Sequence, residues 1–236
     1  MSTIKDDWLT DNAIAFWEEY LEHEKLAGYP KAHIVLLRPS MCFLLMNTKE
    51  PLSLKSALPD FAKTTHIFLP VNDCRSVDTA EGGSHWSLLL VSVIDGVAFH
   101  YDSLSPSNYN EAKVVAHRLS QLLGKPFDFC NLKDSPQQEN SSDCGVYVCL
   151  LMQHLLINKL LRAQSSDKIS MSMSGKEVDA TGGRKEMLRI IEARRKEGER
   201  RRSRSHSPGG HAGKGKGQGS KSRSPPRIGD ENEEYA

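Results

Sequence analysis

The run Pro136-Gln137-Gln138-Glu139-Asn140-Ser141-Ser142-Asp143-Cys144-Gly145 places a cysteine directly ahead of an apolar, helix-like stretch (Val146, Tyr147, Val148, Leu150, Leu151). It also places Gln138 six residues before that cysteine. A thiol at a helix N-terminus sits among unpaired backbone N–H groups, whose partial positive charge favours the thiolate. A nearby primary amide can donate to an oxyanion. Together they suit nucleophilic attack on a carbonyl, a reaction that also needs a base.

Gly82-Gly83-Ser84-His85-Trp86-Ser87 leads into the apolar, β-rich run Leu88–Ile94, so His85 falls where a loop enters a strand. Asp95-Gly96 is a hairpin-turn dipeptide, and Val97–Asp102 reads as the returning strand. A hairpin brings His85 and Asp102 to the same end of a sheet. With a two-residue turn His85 would face Pro106, leaving Asp102 four positions out of register. Even offsets keep both side chains on one face, and contact requires a longer loop, a bulge or strong twist.

The order His85, Asp102, Gln138, Cys144 then has a division of labour. Cys144 attacks as thiolate, and His85 takes and returns the proton. Asp102 fixes the imidazole tautomer and favours imidazolium. Gln138, with the backbone N–H of Cys144, faces the oxyanion. His100 shares a face with Asp102 and is a rival base, read here as a strand histidine. Cys42, Cys74, Cys130 and Cys149 read as inert core thiols. No C-x-x-C pair occurs, and His23, His33, His66, His117 and His154 show no ligand spacing, so no metal site is expected. No phosphate-binding or dinucleotide fingerprint appears.

The pair His85-Trp86, the segment Tyr101-Asp102-Ser103, and Gln138 with Asp143-Cys144-Gly145 resemble the adenain-type ubiquitin-like-protein cysteine proteases, the sentrin/SUMO-specific protease family. The deneddylase branch is the most similar. The stretches that carry this are Trp8-Leu9-Thr10-Asp11-Asn12, Asn72-Asp73, Gly82–Leu89, Phe99–Ser103 and Arg184–Ile191. Thr10 departs from the branch, which often carries asparagine there. The resemblance implies a papain-like/adenain-like α+β fold: a mixed, mainly antiparallel sheet packed against helices, one of which bears the nucleophile. It implies catalytic roles for His85, Asp102, Gln138 and Cys144. Trp86 would be a lid over a tunnel that admits only a Gly-Gly tail, and Trp8 and Asp11 would be part of the surface that grips the modifier. Bland core roles for the two tryptophans are the alternative. The implied activity is cleavage after the terminal Gly-Gly of a neddylation-type modifier, in a precursor or at a lysine isopeptide bond, without a cofactor. A SUMO-specific protease is the nearest alternative. A non-catalytic modifier-binding module and a basic-tail nucleic-acid or chromatin adaptor are alternatives of another class.

The 236 residues allow one ordinary domain and an appendage. Five cysteines and no signal-peptide pattern point to a reducing compartment, cytoplasm and nucleus. No apolar run approaches a membrane span, and a monomer is expected. Helix is expected over 8–26, strand or buried helix over 33–46, strand over 66–71, helix over 111–123 with Val114, Val115, Leu119, Leu122 and Leu123 inward, strand over 127–132, and the nucleophile helix over 143–161 with Asp143 as N-cap. The protease domain is expected over 1–198, with 165–182 a flexible insertion and 183–198 a closing helix. Residues 199–236 read as a disordered basic tail rich in Arg, Ser and Gly. Residues 1–164 carry 14 basic and 19 acidic side chains, whereas 184–227 carry 15 and 4. Such a tail would meet nucleic acid weakly and without sequence preference, and it lacks interleaved aromatics for base stacking.

Overall fold

Two apolar faces on the central strands account for the architecture. In the computed structural model, which describes residues 7–76, 82–163 and 168–205, five strands form one sheet in the order β1-β2-β3-β4-β5. These are β1 (Ile34–Leu36), β2 (His66–Asn72), β3 (Trp86–Ser92), β4 (Val97–Tyr101) and β5 (Asp128–Asn131). The central three are antiparallel, while β1 and β5 run parallel to their neighbours. Successive side chains of a strand point to opposite faces. Phe68, Leu88 and Leu90 therefore meet one core, while Ile67, Leu69, Leu89 and Val91 meet the other.

The first core lies under α1 (Asp11–Glu24) and α4 (Cys144–Gln153). Thr10 caps α1, its hydroxyl accepting from the amide of Ala13, a role asparagine fills equally well. Ile14, Trp17 and Leu21 turn inward, and the Trp17 indole donates to the carbonyl of Cys149 on α4. The second core lies under α2 (Pro39–Asn47) and α3 (Tyr109–Leu123). The stretch 33–46 is thus both readings in turn: strand β1, then a helix opened by Pro39 at its first position. Gly124 ends α3 in the left-handed conformation (φ +63°). Val115, Leu119 and Leu122 are buried on α3, but Val114 is exposed, one position off the inward stripe.

Three further expectations are corrected. The nucleophile helix is α-helical only to Gln153 and continues as a π-helical segment, His154–Leu160. The described part of the expected insertion is packed: Met171 and Met173 are buried. The Tyr101 hydroxyl donates to the carbonyl of Met171, Lys159 Nζ to those of Ser170 and Ser172, and Asp134 accepts from the amide of Met173. Lastly, α5 runs Ala180–Ser205, so residues 199–205 are helix rather than disordered tail. Helix-forming Arg and Glu dominate there, with an i,i+4 pair between Glu197 and Arg201. The chain divides at Arg195 into a large compact unit and a second unit beginning at Lys196. The expected tail from 206 onward lies outside the described residues. No helix among the described residues is long and apolar enough to cross a membrane.

Candidate active site

His85 and Asp102 meet at one end of the sheet, with His85 Nε2 2.6 Å from Asp102 Oδ1. The register explains how. Ser92 pairs with Val97, so the connection is a four-residue loop, Val93–Gly96, rather than the two-residue turn expected. Ser92 and Asp95 side chains bond across it, and Gly96 takes a positive φ of 70°. The longer loop brings Asp102 opposite Ser87, two positions from His85 instead of four. That diagonal is within reach of an imidazole and a carboxylate.

Three residues brace this pair. Asp73, just beyond β2, accepts from the amides of Ser84 (2.6 Å) and His85 (3.0 Å) and from the Ser84 hydroxyl (2.6 Å). Burial pushes its carboxyl up, but these bonds leave it net below the ordinary value. Gly83 is required beside it: at φ +93° an added Cβ would stand 2.0 Å from Asn72 Oδ1. Asn108, fully buried ahead of α3, donates its side-chain amide to the carbonyls of Val71 (3.1 Å) and His85 (3.2 Å), and its backbone N–H to Asp102 Oδ2 (3.0 Å). Leu104 N–H donates to Asp102 Oδ1 at 2.9 Å. Neither Asp73 nor Asn108 was singled out from sequence as part of the site, although Asn72-Asp73 stood among the stretches that carried the resemblance.

Electrostatically the pair is polarised. Burial alone would drive Asp102 up, yet the bonds from His85, Asn108 and Leu104 hold its carboxyl below the usual range. Burial pulls His85 down, but the hydrogen bond to Asp102 and its charge, with a further contribution from Cys144, push it to about 9. With Nε2 on Asp102, Nδ1 is the ring nitrogen left for sulfur. Cys144 opens α4 and is fully buried. Gly145 follows because the chain at Leu9 crosses there: a Cβ would approach Leu9 Cβ to 2.8 Å.

Asp143 is not the side-chain cap expected of it; its carboxylate is instead paired with Arg184 of α5. Gln138 sits half-buried in the loop before Cys144. Its amide donates to the carbonyl of Asn140 (2.6 Å), its side-chain oxygen accepts from Ser103 (2.7 Å), and its backbone N–H reaches the carbonyl of Ser103 (2.8 Å). His100 is fully buried between Asn131 and Ser87 (2.8 and 3.0 Å), and burial lowers its pKa, so this histidine is engaged within the sheet. Trp86 is buried in the same core as Cys144, its indole donating to the carbonyl of Leu9 at 3.1 Å. Trp8, by contrast, is 41% exposed, and Asp11 is exposed in the first turn of α1.

A buried thiol at the start of a helix, with an imidazole–carboxylate pair at the end of a mixed sheet, is an arrangement that suits a thiol peptidase. Residues 7–180 match the Ulp1 protease family, C-terminal catalytic domain, and the chain belongs to that family. It is 38% identical to NEDD8-specific protease 2 of Schizosaccharomyces pombe, over 78% of this chain and 45% of that protein. It is 34% identical to NEDD8-specific protease 1 of the same yeast, over 80% and 45%. The chain therefore spans under half the length of these two relatives. Sentrin-specific protease 8 of Mus musculus is 34% identical over 70% of this chain and 74% of its own. In fold, the chain is similar to the Ulp1 protease domain solved in complex with SMT3, the yeast ortholog of SUMO (TM-score 0.56, 22% identity, 80% and 79% covered).

Proposed function

We propose that this chain is a cysteine-type peptidase and isopeptidase that cleaves after the terminal Gly-Gly of a ubiquitin-like modifier of the NEDD8 type. The observation that supports it is the buried pair of His85 and Asp102, 2.6 Å apart, in a chain whose buried Cys144 opens α4 and contributes to raising His85. Cys144 thiolate attacks the carbonyl carbon of the terminal glycine, and the carbonyl electron pair moves to oxygen. The second amide hydrogen of Gln138 and a backbone N–H at the start of α4 receive that oxyanion. Collapse of the intermediate expels the amine, which takes its proton from His85 and leaves a thioester. Water, deprotonated by His85, then attacks the thioester, and the modifier leaves with a free carboxylate while the thiolate is restored.

Trp86 lies over the path of the tail in this reading, and glycine suits it because it has no Cβ. Trp8 and Asp11 offer exposed contacts for the modifier's body. The NEDD8 assignment draws on the two yeast relatives of that name. The enzyme acts as a monomer in cytoplasm and nucleus, with its five thiols unpaired.

The test is covalent capture. NEDD8, SUMO and ubiquitin probes with a thiol-reactive electrophile in place of the terminal carboxylate are mixed with the protein and with Cys144→Ala. Selective labelling by the NEDD8 probe, absent in the variant, is the expected result. Selective SUMO labelling would keep the mechanism and overturn the substrate. No labelling by any probe would overturn the peptidase reading and favour a modifier-binding module.

A further inference from the structure

Arg184 joins two parts of the chain to the nucleophile loop. It stands in the first turns of α5 and is 6% exposed. Nε and Nη2 both reach Asp143 Oδ1, at 2.8 and 2.7 Å. Nη2 also donates to the carbonyl of Ser142 (2.9 Å), and Nη1 to the carbonyl of Asp7 (2.9 Å), one residue before Trp8. The neighbouring Gly183 allows this approach: a Cβ there would stand 2.6 Å from Leu150 Cδ1 on α4.

From Asp143 the bonding continues. Asp143 Oδ2 accepts from the side-chain amide of Asn140 (2.8 Å), whose Oδ1 in turn accepts from the amides of Ser142 and Asp143 (both 3.0 Å). The carbonyl of Asn140 accepts from Gln138 Nε2 (2.6 Å). One connected chain of bonds thus runs from Arg184 through Asp143 and Asn140 to Gln138, flanking Cys144 on the way. A carboxylate on the residue next to the thiol would disfavour the thiolate if left unpaired; the guanidinium pairs with it and fixes its direction.

We infer that Arg184 is a positioning residue for the reaction, holding residues 138–144 so that Cys144 and Gln138 address the same carbonyl. The inference rests on the peptidase reading above. It makes the start of α5 a working part of the site rather than a cover for the core.

The experiment compares wild type, Arg184→Gln, Asp143→Asn and the double variant on a NEDD8 substrate with a fluorogenic amide at its C-terminus, with thermal unfolding of each. Asp143→Asn leaves the Asp7 contact in place and isolates the loop. The expected result is a fall in kcat of at least about tenfold in each single variant, with KM within about threefold for Asp143→Asn. The double variant should be no worse than Arg184→Gln alone, as for residues acting as one unit. Retention of kcat within threefold in both single variants would overturn the inference. So would a double loss equal to the product of the single losses, or kcat losses that vanish on cooling well below the unfolding midpoint. If wild type cleaves no modifier substrate, the peptidase reading fails, and site-specific alkylation of Cys144 by iodoacetamide decides the inference instead. A fivefold slower reaction in Arg184→Gln supports it, and equal rates overturn it.

Discussion

Asp102 and Glu18 are both buried carboxylates, 1% and 0% exposed, and they behave in opposite ways. Asp102 receives one hydrogen bond from His85 Nε2 and two from the backbone N–H groups of Leu104 and Asn108, and its pKa is held below the ordinary value despite burial. Glu18 lies on the inward face of α1, and among the described residues neither of its oxygens has a hydrogen-bond partner. Arg38 Nη1 stands 3.5 Å away, but the guanidinium spends its bonds on Glu22 and the carbonyl of Leu36. Burial pushes Glu18 up to about 9, against the pull of Arg38 and with a push from Glu22. Both are shut off from solvent, so exposure alone does not decide charge. The number of aimed donors does.

The sharpest way to break this comparison is Asp102→Asn. Loss of the charge should cost about 10³–10⁴ in kcat/KM. It should also move the basic limb of the pH profile. With His85 at about 9, the imidazolium partner of the thiolate persists below that pH and is lost above it. Without the carboxylate the limb should shift acidward, towards the ordinary histidine value; an unmoved limb would mean Asp102 does not hold the imidazole's proton. Gln138→Ala is next, with an expected loss on the order of 10²–10³ in kcat if its amide serves the oxyanion. A loss under threefold would assign that role to the backbone. Asn108→Ala strips donors from the carbonyls of Val71 and His85. About 1–3 kcal/mol of stability should go with them, measured by denaturant unfolding.

Glu18→Gln is expected to leave cleavage untouched and to act only on stability. A carboxyl with a folded value near 9 and an ordinary unfolded value of 4.5 favours folding below about 4.5 and loses that contribution as pH climbs towards 9. Unfolding free energies at pH 5, 7 and 9 should therefore fall in the wild type more steeply than in the variant. Equal slopes would mean Glu18 is ionised in the fold, and the contrast with Asp102 would collapse.

Much of the fold is written in local pattern. The apolar stripe of α3 ends at Gly124, the apolar run of β3 and the Asp95-Gly96 turn announce the hairpin, and Cys144 begins its helix where the apolar run starts. The meeting of His85 with Asp102 was legible up to the register, which depends on a loop two residues longer than the dipeptide suggests. The braces were not legible. Asn108 binds carbonyls 37 and 23 residues away, and Arg184 binds one 177 residues away. Such bonds go to backbone that every residue possesses, so no periodicity marks them. Met171 and Met173 were hidden for a related reason. The polar stretch around them is pinned by Tyr101, Asp134 and Lys159, which have no pattern in common with it.

The contact of Gly183 with Leu150 and the reach of Arg184 to Ser142 and Asp143 have a consequence for the order of synthesis. The thiol, the imidazole and the carboxylate are all translated before the helix that walls in their loop. At about 5–20 residues per second, some seconds separate Cys144 from Arg184 on the ribosome. On the peptidase reading, the nascent chain carries during that interval a thiol whose surroundings are unfinished, and the arrival of Arg184 completes its loop.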